Sequence, residues 1–106
     1  HVHTRSIEMF CVLEGRFEVS WGDHGEHRAE LGRLDTIVIP RGFNRAFKAL
    51  DPGENWILPV VVGTNDEAED ILWLEHVFEA VRKRHPLLAA IASRTKLQVG
   101  RRVAPL

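Results

Sequence analysis

The sequence predicts an all-β core followed by a C-terminal helical appendage. Up to Val62, short runs that alternate apolar and polar residues are separated by Gly-, Pro- and Asp-containing turns, the pattern of a sandwich or barrel. Beyond Gly63 the period changes. Leu74, Val77, Phe78 and Val81 recur at i, i+3, i+4 and i+7, one face of an amphipathic helix. Hydrophobic residues make up 44% of the 106, enough for a core in one domain.

Each element has its own signal. Glu8, Phe10 and Val12 point to one side of a strand and Met9, Cys11 and Leu13 to the other, with a turn at Glu14-Gly15. Phe17, Val19 and Trp21 alternate with Arg16, Glu18 and Ser20, and Gly22 to Gly25 has hairpin chemistry. A polar strand is expected over His27–Leu31, an apolar one over Thr36–Ile39, and another over Arg45–Leu50. Asp51-Pro52-Gly53 is a turn, and Trp56–Val62 reads as a further strand, whose Pro59 belongs at an edge or bulge. Thr64 to Glu67 carries helix-start chemistry, Arg82 to Arg84 suit a helix C-terminus, and Pro86 ends that helix. Leu87 to Ser93 suggests a second short helix, and the tail from Arg94 is expected to be loose. The domain map is therefore a core over 1–63, a helical segment over 64–93 and a basic tail over 94–106.

Charge and composition exclude several classes. Fourteen basic against 15 acidic residues give a net charge of -1, so no global field favours nucleic acid or an anionic membrane. The longest apolar run, Ile57 to Val62, is too short to span a bilayer. The only cysteine, Cys11, cannot form an intrachain disulfide, which fits a reducing compartment and a cytoplasmic protein. It reads as a small buried hydrophobe.

The opening HVHTRSIEMFCVLEG carries the chemistry. On a strand, His1 and His3 present both imidazoles to one side, and Glu8 adds a carboxylate. Two histidines and one carboxylate with open positions suit non-haem iron, with Mn, Ni, Cu and Zn also compatible. His-x-His alone is a weak signal. The whole stretch, however, resembles the first motif of the cupin superfamily, with His1, His3, Glu8 and Gly15 in register from the first histidine onward. The glycine that precedes the motif would lie before residue 1, which predicts further strands upstream. Pro40-Arg41-Gly42 resembles the centre of the second cupin motif, but Leu34 stands at its glycine, Arg45 at its histidine and Ala49 at its asparagine.

This resemblance, over residues 1 to about 62, implies a jelly-roll-like barrel with an internal site. It also implies His1, His3 and Glu8 as metal ligands, with the fourth ligand absent. Arginine cannot replace that ligand, because its guanidinium stays protonated and has no lone pair to give. Three readings of Arg45 follow. It could face the pocket and grip an anionic substrate group, such as a carboxylate. It could instead pair with Glu8 in place of a metal, or lean to the barrel mouth in solvent. Phe43 and Phe47 share its strand parity, as pocket lining or ordinary core. Trp21, Trp56 and Trp73 are assigned to core or interface, Asp35 to a turn, and His24, His27, His76 and His85 to the surface.

The expected function is that of a small metal-dependent cupin, dioxygenase-like or isomerase-like, acting on a small organic anion. The alternative is a metal-free binding or sensing module in which Arg45 satisfies Glu8. A homodimer is expected in either case, through an open barrel edge and the Leu74–Val81 helix.

Overall fold

The computed structural model describes residues 1–63, 70–92, 94 and 98–100. The strands are β1 (Val2–His3), β2 (Ile7–Glu14), β3 (Phe17–Trp21), β4 (His27–Leu31), β5 (Thr36–Ile39), β6 (Arg45–Ala49), β7 (Trp56–Val62), β8 (Ile71–Leu74) and β9 (Gln98–Gly100). Two helices, α1 (Glu75–Arg84) and α2 (Pro86–Ala92), follow β8. The predicted fold class is observed: antiparallel β structure dominates, with a small helical part.

Two sheets make the body, in the orders β5-β2-β7 and β4-β3-β6. Their facing sides enclose one core. Phe10 and Val12 of β2 and Ile39 of β5 meet Phe17 and Val19 of β3 and Leu31 of β4. The alternation read from the sequence is the cause, since every second residue of β2 and β3 turns inward. Pro59 sits in β7, an edge strand, where its missing N–H breaks no ladder.

The barrel expected from the sequence is open among the described residues. The ladders do not join the two sheets: β5 and β7 are the edges of one, β4 and β6 of the other.

A third sheet, β1-β8-β9, lies at the chain's start and brings residues 2–3 against 71–72. It corrects two expectations. Ile71–Leu74 is a strand rather than the beginning of the helix, because Val2 and His3 offer it an antiparallel partner. The tail is not wholly loose, because Gln98–Gly100 pairs in parallel with β8. The helix-start residues Thr64 to Glu67 lie outside the described residues. Helix α1 ends where the sequence indicates, with Arg82, Lys83 and Arg84 in its last turn. Pro86 then opens α2, at a first-turn position where its lack of an N–H costs nothing.

The turns explain two motif positions. Gly15 has φ 79, and a Cβ there would run into the Asn55 side chain, so glycine suits the position. Leu34 also has positive φ, 67, the one non-glycine residue to do so among those described. The backbone at this position is the left-handed one that glycine favours.

Candidate metal centre

The centre is built where β1, β2, the 40–45 turn and Asp70 meet. The main chain of β1 is stitched to the second motif by Gly42 N donating to His3 O at 2.7 Å and Arg45 N donating to His1 O at 2.9 Å. A bridge between Val2 and Asn44 lies between them. Residues 1–3 and 42–45, about forty residues apart in sequence, thus share one short ladder.

The three predicted ligands come together. His1 Nε2 and His3 Nε2 are 3.0 Å apart. Glu8 Oε1 lies 3.3 Å from His3 Nε2 and 3.8 Å from His1 Nε2. His3 and Glu8 are buried, and His1 is half-buried. Three atoms with these separations share a point ~2 Å from each, the length of a bond from a transition metal to nitrogen or oxygen. Among the described residues, they are the one group of His, Cys, Asp and Glu side chains arranged to hold an ion.

A fourth residue, unmarked by any motif, completes the arrangement. Asp70 Oδ2 lies 2.6 Å from His3 Nδ1, and Asp70 Oδ1 accepts from Arg5 N at 2.6 Å and Ser6 N at 3.0 Å. Asp70 is 1% exposed. Burial works against its charge, but the His3 hydrogen bond and the Arg5 amide outweigh it and hold the carboxyl below its ordinary value. The ionised carboxylate accepts the Nδ1 proton of His3. With Nδ1 held by Asp70, Nε2 is the ring nitrogen that faces Glu8 and His1.

Arg45 is placed differently from two of its three readings. It is 1% exposed, which removes the solvated one. Nε donates to Phe43 O at 3.0 Å, and Nη2 donates to Pro40 O at 2.8 Å and Phe43 O at 2.9 Å. Two of its three nitrogens are therefore committed to the turn, and no bidentate grip on a substrate remains. Nη1 stands 3.5 Å from Glu8 Oε1, an ion pair beyond hydrogen-bonding reach. Burial pulls the guanidinium below its ordinary value, against the opposing pull of the Glu8 charge.

Phe43 and Phe47 separate. Phe43 lines an open apolar hollow of about 300 Å3 with Trp21, Ile37, Val38, Ile39 and Pro40. This hollow backs onto the centre: Ile39 is the cross-strand partner of Glu8, and the Pro40 and Phe43 carbonyls hold Arg45. Phe47 is 46% exposed, with its ring 5.4 Å from that of Phe10 and 6.2 Å from that of Phe17, so it covers the core. Trp73 stands by the centre, 5.9 Å from the His1 ring. Asp35 is the expected turn residue, accepting from Gly32 N at 2.8 Å. His24 and His76 stack at 4.4 Å away from any ligand cluster.

Comparison with known proteins supports the fold. The chain is similar to BH2720 from Bacillus halodurans, with a TM-score of 0.57 and 19% identity over 61% of this chain and 52% of that one. It is also similar to KdgF from Halomonas sp., with a TM-score of 0.55 and 24% identity over 63% and 57%. Both have cupin-like folds, and this chain matches little more than half the length of each. No protein-family model and no curated protein matches the chain. Fold and cluster together define a small cupin-like β protein with two histidines and a glutamate converging at one end. No helix among the described residues is long and apolar enough to cross a membrane.

Proposed function

We propose that the chain is a small metal-dependent cupin in which His1, His3 and Glu8 hold one divalent transition ion. One observation carries this reading: three side-chain atoms of metal-ligating type, His1 Nε2, His3 Nε2 and Glu8 Oε1, lie 3.0–3.8 Å from one another. Asp70 Oδ2 holds His3 through Nδ1, so Nε2 faces Glu8 Oε1 at 3.3 Å. That buried oxygen has no hydrogen-bond partner in the structure. A buried carboxylate oxygen without a hydrogen-bond partner, beside two imidazoles, is a place for a cation. A bound ion with open positions would supply Lewis-acid chemistry and, if iron, redox chemistry.

The residues around it have separable tasks. Asp70 orients His3, and Arg45 locks the 40–45 turn while offsetting the charge of Glu8. The hollow of Trp21, Ile37, Ile39 and Phe43 would exclude water and receive the apolar part of a small organic anion. Dioxygenase-like chemistry, with O2 as co-substrate, is the finer form of this proposal, and isomerisation is the other chemistry such a centre supports.

A second reading rests on the 3.5 Å separation of Arg45 Nη1 and Glu8 Oε1. Here the guanidinium is itself the cation, and the protein is a metal-free binding or sensing module. Elemental analysis of protein purified without a polyhistidine tag separates the two. About one equivalent of Fe, Mn, Ni, Cu or Zn that His3→Ala abolishes supports the metal centre. No metal after reconstitution with each ion sinks it in favour of the module.

A further inference from the structure

The net charge of -1 is the balance of two unlike parts of the chain. Residues 80–106 hold seven of the 14 basic residues and none of the 15 acidic ones. A block of one sign marks a segment suited to a partner of the other sign. The described residues show where this block presents its charge. Arg82, in the last turn of α1, is committed to Glu79 at 2.7 Å. Lys83 and Arg84 beside it are exposed, and so is Arg94 past the end of α2. None of these three has an ion-pair partner among the described residues.

Between these cations lies α2, which has no polar residue. Ala89, 3% exposed, marks its inward side. Leu87, Leu88 and Ile91 fall within about 100° of one another on the side away from Ala89. They are 74%, 58% and 56% exposed. A helix face turned to water normally carries charged or polar residues, whereas here it is apolar with the charge gathered at its two ends. Nucleic acid is met by basic residues with aromatic stacking or base-edge donors, and leucine and isoleucine offer neither. An anionic lipid surface uses both features. The apolar side chains enter the boundary between headgroups and acyl chains, and the cations stay among the phosphates. We infer that α2, with Lys83, Arg84 and Arg94, is the surface by which the chain docks on an anionic membrane, lying in its interface without crossing it. Two apolar turns and three screened cations make such binding reversible and sensitive to salt. It does not depend on occupancy of the metal centre.

Vesicle flotation of the chain tests this. Phosphatidylcholine vesicles with ~30% phosphatidylserine should carry it at least ~10-fold better than pure phosphatidylcholine. Raising the salt from ~0.1 to ~0.5 M should release most of the bound protein. Lys83→Gln with Arg84→Gln should weaken binding ~25-fold, about fivefold for each cation. Leu87→Gln with Ile91→Gln should weaken it at least ~10-fold by removing the apolar insertion. Arg28→Gln with Lys48→Gln takes the same charge from the β4-β3-β6 sheet and should leave binding as in the parent. All six positions are exposed, so circular dichroism should show every variant folded. Equal binding to both kinds of vesicle, or to neither, overturns the inference. So does an equal loss in the Arg28, Lys48 variant, because net charge rather than this surface would then be acting. A Leu87, Ile91 variant that binds like the parent overturns it as well. Without vesicle binding, a single-stranded RNA that the Lys83, Arg84 variant no longer binds would make nucleic acid the occupant instead. A dimer that the Leu87, Ile91 variant dissociates, again without vesicle binding, would make it a second copy of the chain.

Discussion

Asp70 Oδ2 lies 2.6 Å from His3 Nδ1, and this contact selects which nitrogen of His3 faces Glu8. The same carboxylate accepts the Arg5 and Ser6 amides, so it shapes the loop between β1 and β2 as well as the ring. Asp70→Asn keeps the size and removes the charge. Metal affinity should fall ~10–100-fold, the usual cost of losing a carboxylate behind a ligating histidine. Competition against a chromophoric chelator measures this. Unchanged affinity would mean that Asp70 serves the loop alone.

Metal should also stabilise the fold, because the donors converge only in the folded chain. At a free concentration ~100 times the dissociation constant the gain is about 2.7 kcal/mol, visible as a higher melting temperature that a chelator reverses. His3→Ala should melt at the same temperature with and without metal. A metal-dependent shift that survives in this variant would place the binding elsewhere.

Arg45 is buried with its partners on one turn, so Arg45→Met should cost about 3–5 kcal/mol in urea unfolding. The loss combines two unpaired carbonyls with an uncompensated Glu8. Arg45→Lys should recover little, because reaching both Pro40 O and Phe43 O needs the planar fork. Arg45→His restores a ligand type at the motif position, and metal titration should show tighter binding than in the parent. Stability close to the parent in the Met variant would show that Glu8 does not depend on the guanidinium.

Leu34 holds φ 67 while 68% exposed, so its side chain earns little by packing. Leu34→Gly should relieve a left-handed strain of ~1–2 kcal/mol, partly offset by ~0.5–1 kcal/mol of lost chain entropy. A melting temperature a few degrees higher is the expected result. A lower one would mean that Leu34 makes apolar contacts worth more than the strain.

The strands were legible because their period is two: β4, β5 and β7 begin and end where alternation and turn residues place them. The His1, His3 and Glu8 cluster was legible because β1 and β2 are close in sequence and a motif spans both. Asp70 was not. It lies 67 residues from His3, in a stretch whose acids and later apolar spacing resemble a helix start. Four residues, Ile71–Leu74, are too few for periodicity to tell strand from helix, and only the pairing with β1 decides. The commitments of Arg45 were hidden for another reason. Strand parity can turn a guanidinium inward, but backbone carbonyls two and five residues away capture it, and no pattern of side chains records where they point.

The contributions to the centre from positions 3, 8, 45 and 70 bear on how the protein is made. During synthesis the histidines leave the ribosome first, yet the carboxylate that orients one of them emerges 67 residues later. Closing that long loop is costly in chain entropy, which places the completed centre late in folding. Until then the nascent histidines remain without their orienting carboxylate. On the proposed reading, an ion would be taken up by the finished domain rather than by the growing chain.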